Sequence, residues 1–329
     1  MIYTILLSVV IAATAANVIK DPVQGYKEGD RFFYFPGDGD NIVHLVDTLE
    51  PVDEAFLRSY GRSPNDNEYW LFTRANPTNA QVIQPYNIDS LFQSNFDGSK
   101  PTKFIAHGWN GRGSNPMNLH LTQAFLEDGD VNVIVLDWHR LANRNYITAR
   151  NGVPGAGRGL GQFINWLASL GVSYDSMHLV GFSLGAHLVG NAGRETGSKV
   201  RRITALDPAG PLWENNRDRL VKTDAQYVEV IHTNTVFLGF HDPCGDADFY
   251  PNGGRIMPGC WTNNCSHGRA VDYMVASIRH NRFLANECRT MTNVQRNLCT
   301  GAVFLMGNSD LHKNGSGIFR VNTGRNYPF

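Results

Sequence analysis

The sequence predicts an α/β fold with a mostly parallel sheet flanked by helices on both faces. Short apolar runs recur from residue 102 onward, at 103–106, 131–136, 177–180, 202–206 and 227–231, and each ends in a turn or polar residue. Helical patterns lie between several of them, at 118–126, 159–169 and 184–194. Strands that alternate with helices require crossover connections, which build parallel sheets buried on both faces. In such sheets the chemistry gathers at the carboxyl ends of the strands.

The composition is that of a globular protein. Of 329 residues, 42% are hydrophobic and 18% charged, which excludes a disordered chain. The formal charge of -1 offers no field for nucleic acid or an anionic membrane. Glycine is frequent, at 33 residues, but without the three-residue period of collagen.

Taken in order, the first element is a leader. Residues 2–16 hold a short apolar run followed by Ala13-Thr14-Ala15. The run is too short to span a bilayer and reads as a secretory signal peptide over residues 1–16, although no Lys or Arg precedes it. A secreted, extracellular protein is therefore expected, with cysteines available for disulfides. Asn314-Gly315-Ser316 is a glycosylation sequon, and Asn264-Cys265-Ser266 a formal one. The next hundred residues mix turn residues with β-rich runs at 31–35 and 69–72. No repeat or linker divides residues 17–329, so one domain is expected there. Within the helical pattern at 159–169, Phe163, Trp166, Leu167 and Leu170 have the i, i+3, i+4, i+7 spacing of an amphipathic helix.

Gly181-Phe182-Ser183-Leu184-Gly185 lies between the strand at 177–180 and the helix at 184–194. A serine on a sharp strand-to-helix turn is exposed for attack, and the helix N-terminus favours developing negative charge. A serine hydroxyl needs a base and an orienting carboxylate, expected in the chain order Ser, acid, His. Asp207 ends the strand at 202–206 and precedes Pro208. Asp137 also ends a strand but precedes the serine. The order leaves His232, His241, His267, His280 and His312 as bases. His267 follows Cys265-Ser266, where a disulfide would hold it rigidly, whereas His232 ends a strand and also suits a core role. His44, His120 and His187 read as surface or satisfied core residues.

The motifs at 103–109, 180–187, 204–211, 248–254, 258–260 and 265–267 resemble the pancreatic lipase family, from about residue 28 to the end. The resemblance implies an α/β-hydrolase fold that cleaves lipid esters and needs no cofactor. It assigns Ser183 as nucleophile, Asp207 as acid and His267 as base, with the backbone N–H groups of Trp109 and Leu184 as oxyanion donors. It implies disulfides Cys260–Cys265 and Cys288–Cys299, leaving Cys244 free or forcing another pairing. Typical relatives carry a C-terminal β-sandwich with a protein-cofactor site, but only 30 residues follow Cys299 here, so neither is expected. The lid loop holds only Trp261, Thr262, Asn263 and Asn264. With the short 233–247 loop, that resembles the phospholipase A1 branch, which includes insect enzymes. Some relatives bind calcium after the triad acid. Glu214, Asp218 and Asp224 are interleaved here with Arg217, Arg219 and Lys222, so no metal is expected.

The expected function is that of a secreted esterase releasing fatty acid from the sn-1 position of glycerophospholipids at a lipid–water interface. Membrane contact is peripheral. A triacylglycerol or galactolipid lipase with the same triad is the alternative. A yolk-type lipid-binding protein without activity is disfavoured, since such proteins replace triad residues. Trp261, with Phe237, Leu238 and Phe240, either meets lipid or lines the acyl pocket and core.

Overall fold

The apolar runs of residues 102–231 form the centre of one sheet in the computed structural model of the chain, which describes residues 25–40, 42–61 and 63–329. The expected leader at residues 1–16 lies outside the described residues. Strands β5 (Thr102–Ala106), β6 (Asn132–Asp137), β7 (Met177–Phe182), β8 (Arg202–Leu206) and β9 (Val228–Ile231) are buried along their whole length. They run parallel in the order β6-β5-β7-β8-β9. β10 (Ala247–Phe249) and β13 (Gly317–Arg320) extend the parallel part beyond β9. The edges are antiparallel: β3 (Glu68–Phe72) and β4 (Gln81–Ile83) on one side, β11 (Leu284–Cys288) and β12 (Val303–Leu305) on the other. A separate hairpin joins β1 (Phe32–Pro36) and β2 (Val43–Asp47).

Alternate residues of each central strand face opposite cores, as the two-residue period of a strand requires. Phe104, Ile134, Leu179 and Ile203 join the helices Tyr146–Ser169 and Leu184–Glu195 on one face. Ile105, Val135, Val180 and Leu206 join Pro116–Asp128 and Asn263–His280 on the other. The sheet is thus covered on both faces. The hairpin closes onto the first core through Phe33 and Phe35.

The helix expected from residue 159 in fact starts at Tyr146. Its first half is rich in glycine and contains Pro154, which argues against a helix on propensity alone. Packing overrides propensity here. A Cβ on Gly157 would lie 2.6 Å from the Asn191 Cβ, and one on Gly161 2.5 Å from the Glu195 Cβ. These glycines let two helix backbones approach closely across the first core.

Both expected disulfides are present, Cys260–Cys265 and Cys288–Cys299. Cys244 is a free, buried thiol. Burial, with Asp248 beside it, holds that thiol well above the usual range for cysteine, in its neutral form.

Candidate active site

Ser183 sits between β7 and the helix Leu184–Glu195, with φ 56° and ψ −120°. That conformation is strained for a residue with a side chain. It is held by the Ser183 N–H donating to Leu206 O at 3.0 Å and by the Ala209 N–H donating to Ser183 O at 3.2 Å. The flanking glycines are steric necessities. A Cβ on Gly181 would lie 2.2 Å from Gly185 O, and one on Gly185 would lie 2.4 Å from both Ala106 O and His107 O.

Asp207 follows β8 and is also left-handed, at φ 38°. Its Oδ1 accepts the N–H groups of Thr233 at 2.7 Å and Asn234 at 3.0 Å. Its Oδ2 lies 2.6 Å from Nδ1 of His267. Because the carboxylate has both oxygens committed as acceptors, Nδ1 is the protonated nitrogen and Nε2 carries the lone pair. His267 lies in the second turn of Asn263–His280, where the Cys260–Cys265 bridge ties the helix start and Thr262 caps it through the Cys265 N–H. The imidazole is packed against Phe182, with ring centres 4.6 Å apart, and has Phe35 on another side. Its Nε2 is buried without a hydrogen-bond partner among the described residues. Ser183 and His267 line one cavity of about 450 Å³, a volume ordinary for a small-ligand site.

Trp109 belongs to the turn after β5. Its indole is fixed by Nε1 donating to Arg144 O at 2.8 Å and by edge contacts with Tyr146 and His44. Its backbone N–H has no acceptor among the described residues. Leu184 opens its helix, and the first N–H groups of a helix have no intrahelical partner.

The other candidates are placed elsewhere. Asp137 is held by His107 at 3.3 Å and His139 at 3.1 Å. Its burial alone would raise its carboxyl, but the hydrogen bond and charge of His107, together with the N–H groups of Gly113 and His139, outweigh that and leave it at about 2. His232 is a satisfied core residue, bonded to Asp248 at 2.9 Å and Phe240 O at 3.0 Å and stacked on Tyr250. His187 is likewise core. It bonds Ala209 O and the Leu220 N–H, stacks on Trp213, and is lowered by burial to about 3. His241 pairs with Asp242 on the surface, and His280 faces Tyr327. Of the aromatic group near the lid, Leu238 and Phe240 are buried in the core, while Trp261 is 88% exposed. Of the carboxylates weighed for calcium, Asp224 is taken by Arg194 at 3.0 Å.

Two cavity residues have no signature in the sequence. His120 lines the cavity together with Asp272, and Asp38 comes from the turn after β1. Pro36-Gly37-Asp38-Gly39 reads as an ordinary turn, and only the folded hairpin brings it to the serine.

A family profile described as Lipase matches residues 54–309. The chain belongs to this lipase family. Within the family, it is 39% identical over 224 residues to lipase member H of Oryctolagus cuniculus, covering 64% of this chain and 48% of that protein. It is 38% identical over 259 residues to pancreatic lipase-related protein 2 of Sus scrofa, covering 70% and 55%. The rat protein of the same name is 34% identical over 274 residues, covering 74% and 58%. The chain thus spans about half the length of the curated relatives it matches.

Proposed function

We propose that this lipase-family chain is a serine ester hydrolase that releases fatty acid from lipids through an acyl-enzyme. The observation that carries the reading is the His267 imidazole. Its Nδ1 is fixed 2.6 Å from Asp207, and its free Nε2 is buried beside the cavity that Ser183 lines. In this reading Ser183 Oγ attacks the ester carbonyl while Nε2 takes its proton. The N–H groups of Trp109 and Leu184 receive the negative charge on the carbonyl oxygen. Collapse expels the alcohol, which takes the proton from Nε2. Water, deprotonated by the same nitrogen, then releases the fatty acid. One oxyanion donor is worth about 3 kcal/mol of barrier. Long or loose contacts between nucleophile and base are usual before substrate binds.

For substrate we propose a glycerophospholipid cleaved at sn-1. The loop closed by Cys260–Cys265 holds four residues, and Thr262 and Asn264 within it line the cavity directly. A cover that short leaves a wet mouth. His120 and Asp272, which also line the cavity, give it polar partners for a charged headgroup. The names of the relatives suit a neutral-lipid lipase equally well, so a triacylglycerol or galactolipid substrate is the second reading. Residues 17–329 act as one secreted unit in this proposal, supported by the two disulfides and by the exposed Asn314 of the sequon. Phosphatidylcholine with distinct sn-1 and sn-2 chains, assayed beside triolein, tests the substrate. Preferential release of the sn-1 chain is expected. Faster cleavage of triolein would establish the second reading instead.

A further inference from the structure

The Trp109 N–H is useful as an oxyanion donor only if its peptide plane is fixed. The peptide joining Gly108 to Trp109 is anchored by its carbonyl. Gly108 O accepts from His107 Nδ1 at 2.9 Å and from the Gly111 N–H at 3.2 Å. In a trans peptide the N–H points opposite to that carbonyl. The two neighbouring peptides are both gripped by a single residue from another part of the chain. Asp38 Oδ2 accepts the Gly108 N–H at 2.8 Å, and the Asp38 N–H donates to Trp109 O at 2.7 Å. Asp38 thus brackets the peptide of this turn whose N–H has no acceptor among the described residues. Its position is also tight. A Cβ on Gly108 would lie 3.1 Å from the Ser183 Cβ and 3.3 Å from the Asp38 Cβ, so the oxyanion turn is pressed between the serine and the hairpin.

We propose that Asp38 is a positioning residue, whose carboxylate orients the oxyanion-binding peptide of Trp109 from the β1–β2 hairpin. The proposal rests on Ser183 being the nucleophile. Burial raises the Asp38 carboxyl above its ordinary range. The hairpin lies outside the alternating strand–helix part of the fold. Its role would be to complete the active site rather than to extend the main sheet.

The test uses the full chain with Asp38→Ala, Asp38→Leu and Asp38→Asn, and Ser183→Ala as control. Two rates are read: turnover of a short, soluble p-nitrophenyl ester, and covalent labelling by a fluorophosphonate. In the Ala and Leu variants kcat should fall on the order of ten- to a hundredfold with KM within about twofold, since a donor is displaced and not removed. Labelling should slow by a similar factor but still reach one group per molecule. Asn keeps an acceptor oxygen for the Gly108 N–H and should stay within about threefold of the parent. Leu fills the side-chain volume, so it carries the comparison if Ala does not fold. Folded Ala and Leu variants with parental kcat would overturn the proposal. So would a loss confined to KM, an Asn variant as slow as Ala, or unfolding of both apolar variants. If Ser183→Ala is still labelled at the parental rate, the nucleophile assignment fails, whatever the Asp38 variants do.

Discussion

Replacing Asp207 with Asn tests the orientation of the base in a way the geometry makes quantitative. The carboxylate has two fixed tasks: Oδ1 faces two backbone N–H donors, and Oδ2 faces His267 Nδ1. An amide in the same place has one oxygen and one NH2 group. Turning the NH2 toward the Thr233 and Asn234 N–H groups would leave both donors unpaired, at roughly 1–3 kcal/mol each. The total of about 2–6 kcal/mol favours the opposite orientation by at least about thirty to one. The NH2 then points at His267 Nδ1, which must accept. The imidazole proton moves to Nε2, and the nitrogen facing the cavity can no longer take the serine proton. A loss of about 10⁴ in kcat is expected for such a tautomer switch. The assay is hydrolysis of a soluble short-chain ester, with circular dichroism confirming the fold. A folded Asp207→Asn enzyme that retains more than a tenth of parental kcat would refute the reasoning.

Three further outcomes are expected. Gly185→Ala places a Cβ 2.4 Å from two backbone oxygens, Ala106 O and His107 O, which no side-chain movement relieves. The elbow must shift by about 1 Å, so about 1–3 kcal/mol of stability and on the order of a hundredfold in kcat should be lost, measured by denaturant titration and ester turnover. Lys103 is buried, and desolvation, with Arg202 nearby, lowers its ammonium to about 7. Between pH 7 and 10 the unfolded chain therefore binds more protons at this site than the folded one, so the destabilising contribution of Lys103 shrinks as pH rises. The stability advantage of Lys103→Met should shrink across that range, and a pH-independent difference in Tm would contradict the assignment. Trp261 is almost fully exposed, so Trp261→Ala should leave Tm and soluble-ester turnover unchanged while lowering activity on phospholipid vesicles. Equal activity on vesicles would assign lipid contact to another surface.

Much of this was legible in the sequence because it depends on local pattern. The five central runs announced buried strands, and the glycines around Ser183 announced an elbow whose tightness the structure explains. The antiparallel edges and the glycine-rich start of Tyr146–Ser169 were not legible. Their stability comes from partners distant in sequence, such as Asn191 against Gly157. The choice between His232 and His267 was open on pattern alone. It turns on which carboxylate each imidazole meets: Asp248 for one and Asp207 for the other. Asp38 and His120 left no trace in the sequence, because nothing local distinguishes a turn that meets the serine from one that meets water. The five cysteines reduce to two bridges and the buried thiol of Cys244.

The central claim is that Ser183 is acylated by a lipid ester and that His267 drives the step. It is tested most directly by acid-quenching the protein during turnover of a phospholipid and locating the acyl group by mass spectrometry. A fatty-acyl ester is expected on the peptide carrying Ser183, absent from Ser183→Ala, together with loss of fatty-acid release in that variant. Sustained release of fatty acid by Ser183→Ala, or an acyl group carried on another residue, would contradict it.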